Sequence, residues 1–390
     1  MKLSVLRGKA YDALSIIGLI SITVGLCVFT AEMTDAARSG VELCWNVIIP
    51  SLFPFFVVSQ LTVRLGLADK LGRLCSRVMR PLFGVSGKCA PALILGFIGG
   101  YPVGAKTVIA LYTEGGITKT EAERMLAFSN NSGPAFILGV VGAGIFVDAR
   151  AGLVLYLAHF TASLIIGLFF KFYRKGEKPS DDTSCAAKKR EPLSQAIVSS
   201  VSQAFSSSLG ICGFVVFFTV LTRLIFLSGI LGRLAELLSG IFGLSEELCL
   251  SALTGIIELT GGVWRLREAS DSITASLAMA AFMLGWAGIS VHCQVLSFLR
   301  DTGLSSATYI IGKLFHGILS ALITLLISRF FSPPESVASI LAEEVQGLSE
   351  LDFRSTLAAA LPLSAAVFLI FLCISLFSAK KAGKRGQNGL

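Results

Sequence analysis

Two interruptions decide how the first half of this chain folds: Gly96-Phe97-Ile98-Gly99-Gly100-Tyr101-Pro102 and Phe128-Ser129-Asn130-Asn131-Ser132-Gly133-Pro134. The second half holds a matching pair: Gly255-Ile256-Ile257-Glu258-Leu259-Thr260-Gly261-Gly262 and Leu284-Gly285-Trp286-Ala287-Gly288-Ile289-Ser290. All four lie in apolar stretches of membrane length. Backbone released from a helix at bilayer depth is costly unless protein or a polar cavity covers it. Paired breaks at matching places in two halves therefore predict a transport-type site near the middle of the membrane.

The composition is that of a polytopic helical membrane protein. Hydrophobic residues make up 54% of the 390 residues and charged residues only 15%, whereas soluble domains average about 25% charged residues. The net charge of +8 comes from basic residues that cluster beside apolar segments. That clustering is the positive-inside pattern and does not indicate a nucleic-acid partner. We expect a multi-pass protein of the cell membrane, with the lipid bilayer as its partner.

Ten apolar segments are candidates for membrane helices. They lie near 11–30, 43–63, 89–112, 125–146, 151–172, 205–228, 247–264, 272–299, 308–331 and 356–378. The first follows three basic residues, so either a cleaved signal peptide or an uncleaved helix fits. Its length and its poor cleavage site favour the uncleaved helix.

The charged linkers predict a helical hairpin in the first half. Basic residues dominate both 64–88 and 174–190, so both linkers are expected in the cytoplasm. Three apolar segments lie between them, and three full crossings would place the linkers on opposite sides. One segment must therefore double back, and 89–112 is the best candidate because Gly99-Gly100-Tyr101-Pro102 lies at its centre.

The same reasoning applied to the second half predicts an inverted-topology repeat. Phe83-Gly84, Ser86, Gly96 and Lys106 recur at one constant offset as Phe242-Gly243, Ser245, Gly255 and Arg265. The predicted fold is all-α, with re-entrant helical hairpins and broken helices, and with both termini in the cytoplasm. Its parts are an N-terminal transmembrane helix and outer loop (1–42), a first repeat (43–173), a cytoplasmic basic linker (174–194), a second repeat (195–331), an acidic outer loop (332–355) and a last transmembrane helix with a basic tail (356–390).

Asn130, Asn131 and Ser132 are the strongest candidates for a binding site. Their side chains lie at bilayer depth, and Pro134 withholds a helix hydrogen bond, so the freed groups suit a cation or a polar solute. The alternative is that they join helices by hydrogen bonds.

Glu258 is the second candidate, because an intramembrane carboxylate is a functional-site hypothesis by default. The alternative is a structural pair with Arg265 or Arg267. Gly99 and Gly100 at the first hairpin tip and Ser290 in the second broken helix complete the predicted substrate site.

Lys106, Arg265 and His292 are predicted as possible charge partners. Lys106 either faces the cavity or extends to the membrane surface. His292 is either a buried hydrogen-bonding residue or a proton-linked switch. His159 and His316 are expected to be buried hydrogen-bonding residues. The nine cysteines show no CxxC spacing and the histidines no metal spacing, so no metal site and no cofactor are predicted, apart from a coupling cation such as sodium or a proton.

Several motifs in order resemble the YlbJ-type sporulation integral membrane proteins of spore-forming Firmicutes. They are Trp45-Asn46, Pro50-Ser51-Leu52-Phe53-Pro54-Phe55-Phe56, the segment from Gly99 to Lys106, Ala122-Glu123-Arg124 and the segment from Phe128 to Pro134. That family belongs with the nucleoside-recognition (Gate) domain proteins, which look like concentrative nucleoside transporters. The resemblance covers about 10–380 and implies a role in forming the spore and its cortex.

The residues depart from the nucleoside transporters in two places. Those proteins carry a polar tip on the first hairpin, where this chain has Gly99-Gly100-Tyr101-Pro102. Their second broken helix offers Asn and Ser, where this one offers Trp286 and Ser290. Only Glu258 matches a binding residue of those transporters, namely the second-hairpin carboxylate that contacts the ribose. The resemblance therefore implies the scaffold rather than a nucleoside substrate.

The predicted function is a transporter-like sporulation membrane protein that moves a small polar solute or a cell-wall precursor. The alternative is a non-transporting assembly or signalling component of sporulation. No nucleophile and base can be paired from the motifs, so we do not expect an enzyme and name no catalytic residue. A homo-oligomer is compatible with the sequence.

Overall fold

The computed structural model describes residues 2–65, 75, 77–177, 179, 192–269 and 272–330. The predicted acidic loop, the last helix and most of the linker at 174–194 lie outside these residues. Within them the regular structure is helical. The α-helices are α1 Lys2–Val28, α2 Thr30–Leu43, α3 Ile49–Arg64, α4 Arg77–Phe83, α5 Ala90–Gly99, α6 Val103–Thr113, α7 Lys119–Leu126, α8 Ala149–Phe170, α9 Leu193–Leu227, α10 Ile230–Phe242, α11 Glu246–Ile257, α12 Leu259–Arg265, α13 Ile273–Trp286, α14 Gly288–Leu299 and α15 Ser306–Ser328.

The helices are long and apolar enough for a multi-pass membrane protein. By length and composition, the described residues hold four candidate spans, namely α8, α9, α13 with α14, and α15. Three bent helix pairs raise that number to seven if each pair is one span. Large apolar side chains such as Leu153, Phe217 and Leu322 are exposed on these helices, as surfaces that face lipid require.

Residues 30–43 form helix α2, where the sequence analysis placed an outer loop. The α2 axis is turned by 98° from α1. One face of α2 is buried, including Met33, and Gly40 packs on the backbone of Val216 in α9. Glu32 and Asp35 lie on its more exposed side. The charges that suggested a loop are thus the polar side of an amphipathic helix.

The order of hairpin, broken helix and long helix occurs twice, as the predicted repeat requires. In the first half these elements are α5–α6, then α7 with a π-helical segment Ala135–Ile145, then α8. In the second half they are α11–α12, α13–α14 and α15. Gly84 and Gly243 precede the two hairpins and both have φ of +66°. The matched positions in the sequence are therefore matched in conformation.

Both predicted hairpins are present, and each is closed by a pair of glycines. Gly96 faces Gly104 between α5 and α6, and Gly255 faces Gly262 between α11 and α12. A side chain at any of these positions would collide with a neighbouring segment, so the glycines allow the close approach. Each hairpin therefore folds back on itself as a compact unit.

Each hairpin tip lies against the break of the broken helix in its own half. Gly100, at the first tip, packs directly on Gly133. The second tip, at Leu259, packs on Gly288, where the chain leaves α13 through a left-handed Ala287. The fold thus places two interrupted segments side by side in each half.

The Glu123-Arg124 motif fixes these elements at one end of the bundle. Both residues are buried. The Glu123 carboxylate accepts hydrogen bonds from Ser305 N at 2.9 Å and from the Tyr173 hydroxyl at 3.0 Å. Arg124 donates to the carbonyl of Tyr173 through Nε at 2.9 Å. The motif thus ties α7 to the end of α8 and the start of α15. Burial, together with the hydrogen bond to Glu123, raises the pKa of Tyr173.

Candidate functional site

The first break forms a buried polar centre. Ser129, Asn130, Asn131 and Ser132 are at most 2% exposed. Asn131 donates from Nδ2 to the carbonyl of Phe128 at 2.9 Å. The Asn131 Oδ1 and Ser129 Oγ atoms have no hydrogen-bond partner among the described residues. Buried polar atoms without partners are rare in folded proteins, so this centre has spare capacity for a polar ligand, an ion or a water molecule.

Lys313 of α15 enters this centre, although the sequence analysis did not single it out. Its side chain is fully buried. The Nζ atom lies 3.0 Å from the carbonyl oxygen of Asn130 and 3.0 Å from the Tyr101 hydroxyl. A lysine at membrane depth is expensive and marks a functional site by default. Lys313 therefore joins the first hairpin tip to the first broken helix.

A chain of hydrogen bonds continues from Lys313 through two histidines. Lys313 Nζ lies 3.3 Å from His316 Nδ1, and His316 Nε2 lies 2.9 Å from the carbonyl oxygen of His159. The His159 Nε2 atom accepts from the backbone N–H of Ser132 at 3.1 Å. The rings of His159 and His316 lie 4.3 Å apart. The two histidines that looked isolated in the sequence thus link α8 and α15 to the first break.

Glu258 lies in a different environment, at the tip of the second hairpin. Its carboxylate caps α12 by accepting from the backbone N–H groups of Thr260 at 2.9 Å and Gly261 at 2.6 Å. It also lines a cavity of about 450 Å³ between the hairpin, α2 and α9. The charged residues that line this cavity are Glu32, Asp35, Arg223, Glu258, Arg265 and Glu268. The structure therefore separates the predicted site into a buried centre and an open cavity.

The predicted charge partners divide between these two places. Arg265 lines the Glu258 cavity, where its guanidinium lies 3.7 Å from Glu268 and over the ring of Phe226. Arg267 lies over Trp264 instead. The predicted pairing of either arginine with Glu258 is not among the ion pairs of the described residues; both guanidinium groups have other partners.

Lys106 takes neither of the two positions proposed for it. Its side chain is 9% exposed, and its Nζ atom lies 5.0 Å from the centre of the Phe56 ring and 5.4 Å from that of Phe298. The cation is thus held between two aromatic faces. At the matching position of the repeat, Arg265 lies over an aromatic ring in the same way.

The remaining predicted residues are buried near one of the two breaks. Gly99 ends α5 and is buried beside the tip. Ser290 is buried on α14 directly after the second break. His292 Nδ1 lies 3.1 Å from the Tyr309 hydroxyl, one helical turn from Lys313, and its ring packs on Trp286. His292 is therefore a buried hydrogen-bonding residue.

Sequence reasoning missed Lys313 because it lies near the start of an apolar segment. A lysine there is ordinarily assigned to the membrane surface, to which its long side chain reaches. The spacing of polar residues could have pointed to Lys313. Tyr309, Lys313 and His316 follow one another at intervals of four and three residues, which places them on one side of α15. A row of polar residues on one face of an apolar helix indicates a face that points into the bundle.

Comparison with known proteins identifies the chain. Residues 45–149 match the Gate family, which is described as nucleoside recognition. Solved structures of CNTnw also align with it: a variant in an intermediate state has a TM-score of 0.45 at 16% identity, covering 84% of this chain and 87% of that one. An inward-facing, substrate-bound CNTnw has a TM-score of 0.43 at 16% identity, covering 83% and 86%.

The sporulation integral membrane protein YlbJ of Bacillus subtilis (strain 168) is similar over most of the chain. The two are 31% identical over 314 residues, which cover 75% of this chain and 77% of the relative. The resemblance predicted from the motifs is thereby confirmed. The chain belongs to the family of the sporulation integral membrane protein YlbJ.

Proposed function

We propose that this sporulation membrane protein is a transporter that moves a small polar solute or a cell-wall precursor needed for the spore cortex. One observation carries the proposal: the second hairpin tip presents Glu258 to a cavity of about 450 Å³, whereas Gly100 at the first hairpin tip is buried. Cavities of this volume hold small-molecule ligands. A carboxylate at the tip of a membrane hairpin is well placed to recognise a polar group on the solute.

The charges of the cavity indicate the kind of solute. Arg223 and Arg265 supply cationic donors, while the four carboxylates supply acceptors. A solute that carries both hydroxyl or amino groups and an anionic group would find partners for each. The description of the Gate family as nucleoside recognition makes nucleosides and nucleotide-linked sugars the first compounds to test.

The repeat supplies a route for alternating access. In proteins built from inverted repeats, one half opens to one side of the membrane while the other half is closed. In this protein the second hairpin borders an open cavity while the first hairpin is closed, which is the arrangement expected of one state of such a cycle. We further propose that both termini face the cytoplasm, which places the Glu258 cavity on the outer side.

A second candidate is a non-transporting assembly component that keeps this scaffold. One observation favours it: both carboxylate oxygens of Glu258 already accept backbone hydrogen bonds within the hairpin. In that case Glu258 is needed for the hairpin and not for a solute.

Complementation of a disrupted gene separates the two candidates. We expect the Glu258→Gln variant to be made at normal levels, because one amide oxygen can still cap α12, yet to leave spores with thin cortex and reduced heat resistance. The matched control is Glu247→Gln, an exposed carboxylate on the same hairpin. Full complementation by Glu258→Gln at normal protein levels would contradict the transport proposal and favour the assembly component.

A further inference from the structure

The ammonium group of Lys313 has three acceptors for its three N–H bonds. They are the Asn130 carbonyl oxygen and the Tyr101 hydroxyl oxygen, both at 3.0 Å, and His316 Nδ1 at 3.3 Å. These acceptors come from the first broken helix, the first hairpin tip and α15 itself. A single positive group thus connects three separate elements.

The surrounding hydrogen bonds fix the direction of each contact. The Tyr101 hydroxyl donates its only proton to the carbonyl of Leu284, so towards Lys313 its oxygen accepts. His316 Nε2 faces the carbonyl of His159 and must carry a proton, so in the neutral ring Nδ1 accepts. A neutral amine has two N–H bonds and would turn its lone pair towards an acceptor. The charged form has three N–H bonds and can donate one to each of the three acceptors.

The acceptors around Lys313 Nζ are all neutral groups. Among the described residues, no carboxylate lies within ion-pair distance of Lys313. Two further acceptor atoms of the same break, Asn131 Oδ1 and Ser129 Oγ, are buried without partners. Carbonyl, hydroxyl and amide oxygens of an unwound membrane helix are the ligands that coordinate monovalent cations in transporters. Lys313 Nζ takes such a position between the Asn130 carbonyl oxygen and the Tyr101 hydroxyl oxygen.

We propose that Lys313 is a built-in cation, which replaces a bound monovalent metal ion between the first hairpin tip and the first broken helix. A tethered ammonium holds these two elements together without depending on the ion concentration around the protein. Any part it plays in a transport cycle rests on the proposed function, whereas its place as a cation in the fold does not.

The proposal is tested by asking whether an ion can replace the side chain. In purified protein, we would measure the melting temperature of the wild type, Lys313→Ala and Lys313→Met in sodium, potassium, ammonium or choline chloride at equal ionic strength. Lys313→Ala leaves the acceptors in place with space between them, whereas Lys313→Met fills the space with an apolar chain. Choline is too large to enter and serves as the reference cation.

We expect the wild type to melt at the same temperature in all four salts. Lys313→Ala should melt lower in choline and recover by about 3 °C or more, saturably, in one of the small cations. Lys313→Met should be destabilised without recovery. The proposal is overturned if Lys313→Ala shows no specific response to a small cation, or if Lys313→Met is as stable as the wild type.

Should Lys313→Ala fail to accumulate, Lys313→Gln takes its place, since it keeps two N–H donors without the charge. We expect Lys313→Gln to melt well below the wild type, and an unchanged melting temperature would overturn the proposal. All of these readouts are independent of transport and of spore formation, so they can fail while the proposed function stands.

Discussion

The two hairpins share a backbone plan but differ in what surrounds their tips. The first tip, at Gly100 and Tyr101, is packed on the first break and hydrogen-bonded to the buried Lys313. The second tip, at Glu258, caps its own helix and borders an open cavity. The first tip thus contacts a buried lysine, and the second tip presents an accessible carboxylate. Matching positions in a repeat keep the geometry while their chemistry diverges.

The difference extends to how tightly each hairpin is held. A side chain at Gly104 would collide with the backbone carbonyl of Ser129 in the first broken helix. A side chain at Gly255 would instead meet the flexible end of Met283. At these two positions the first hairpin packs on backbone, and the second packs on a side chain that can move. We infer that the second hairpin is the more easily displaced of the two.

The largest effect is expected from Gly104→Ala. The new methyl group cannot be accommodated unless the broken helix moves, so the free energy of unfolding should fall by about 3 kcal/mol. Thermal or denaturant unfolding of purified protein measures the change. Gly210→Ala is the matched control, because nothing lies near that position on α9 and alanine favours a helix. Equal stability of Gly104→Ala and Gly210→Ala would contradict the close packing of the first hairpin.

Tyr101→Phe should have the next largest effect. It removes one acceptor of Lys313 and the donor to the Leu284 carbonyl. Leaving buried partners unsatisfied costs about 2 kcal/mol.

In the second half, Trp286→Phe removes the hydrogen bond from Nε1 to the Ile256 carbonyl at a half-buried site. Its cost should be about 1 kcal/mol, and a larger cost for Trp286→Phe than for Tyr101→Phe would reverse the comparison.

Gly255→Ala should destabilise the protein by about 1 kcal/mol, less than Gly104→Ala, because the thioether of Met283 can change its rotamer. The double variant with Met283→Ala tests this reason directly. Removing the long side chain makes room for the new methyl group, so the two effects should be less than additive. Strict additivity would show that Met283 is not what Gly255→Ala displaces.

The smallest stability change is expected from Glu258→Gln. The amide oxygen retains one of the two capping hydrogen bonds, so the free energy of unfolding should change by about 0.5 kcal/mol. The same unfolding measurement provides the check. A loss as large as that of Tyr101→Phe would mean that the second tip depends on the carboxylate for its structure, and would weaken its assignment as a solute ligand.

The hairpins and breaks could be predicted because their signals are local. Gly99-Gly100-Tyr101-Pro102 and Gly133-Pro134 interrupt a helix wherever they occur, and the charged linkers reduce the possible connections. Helix α2 was harder to predict from the sequence. Glu32 and Asp35 are typical of a loop, and only the structure shows the buried helix face beside them.

The composition of the site could be predicted only in part. Asn130, Asn131 and Ser132 stand out as polar residues in an apolar stretch, and the structure places them together. The separation of Glu258 from them depends on which break each hairpin tip contacts, which no local pattern encodes. The contact between Lys313 and Asn130 joins residues 183 positions apart, and a single lysine near the end of an apolar segment does not indicate such a partner.

Reactivity of two introduced cysteines tests the contrast between the hairpins most directly. In a background from which the nine native cysteines have been removed, Ser132→Cys reports on the buried centre and Gly261→Cys on the cavity beside Glu258. Since alkylation requires access of the reagent to the thiolate, we expect a small water-soluble maleimide to label Gly261→Cys readily and to leave Ser132→Cys unmodified over the same period. Equal labelling of both, or faster labelling of Ser132→Cys, would contradict a closed first hairpin beside an open second one.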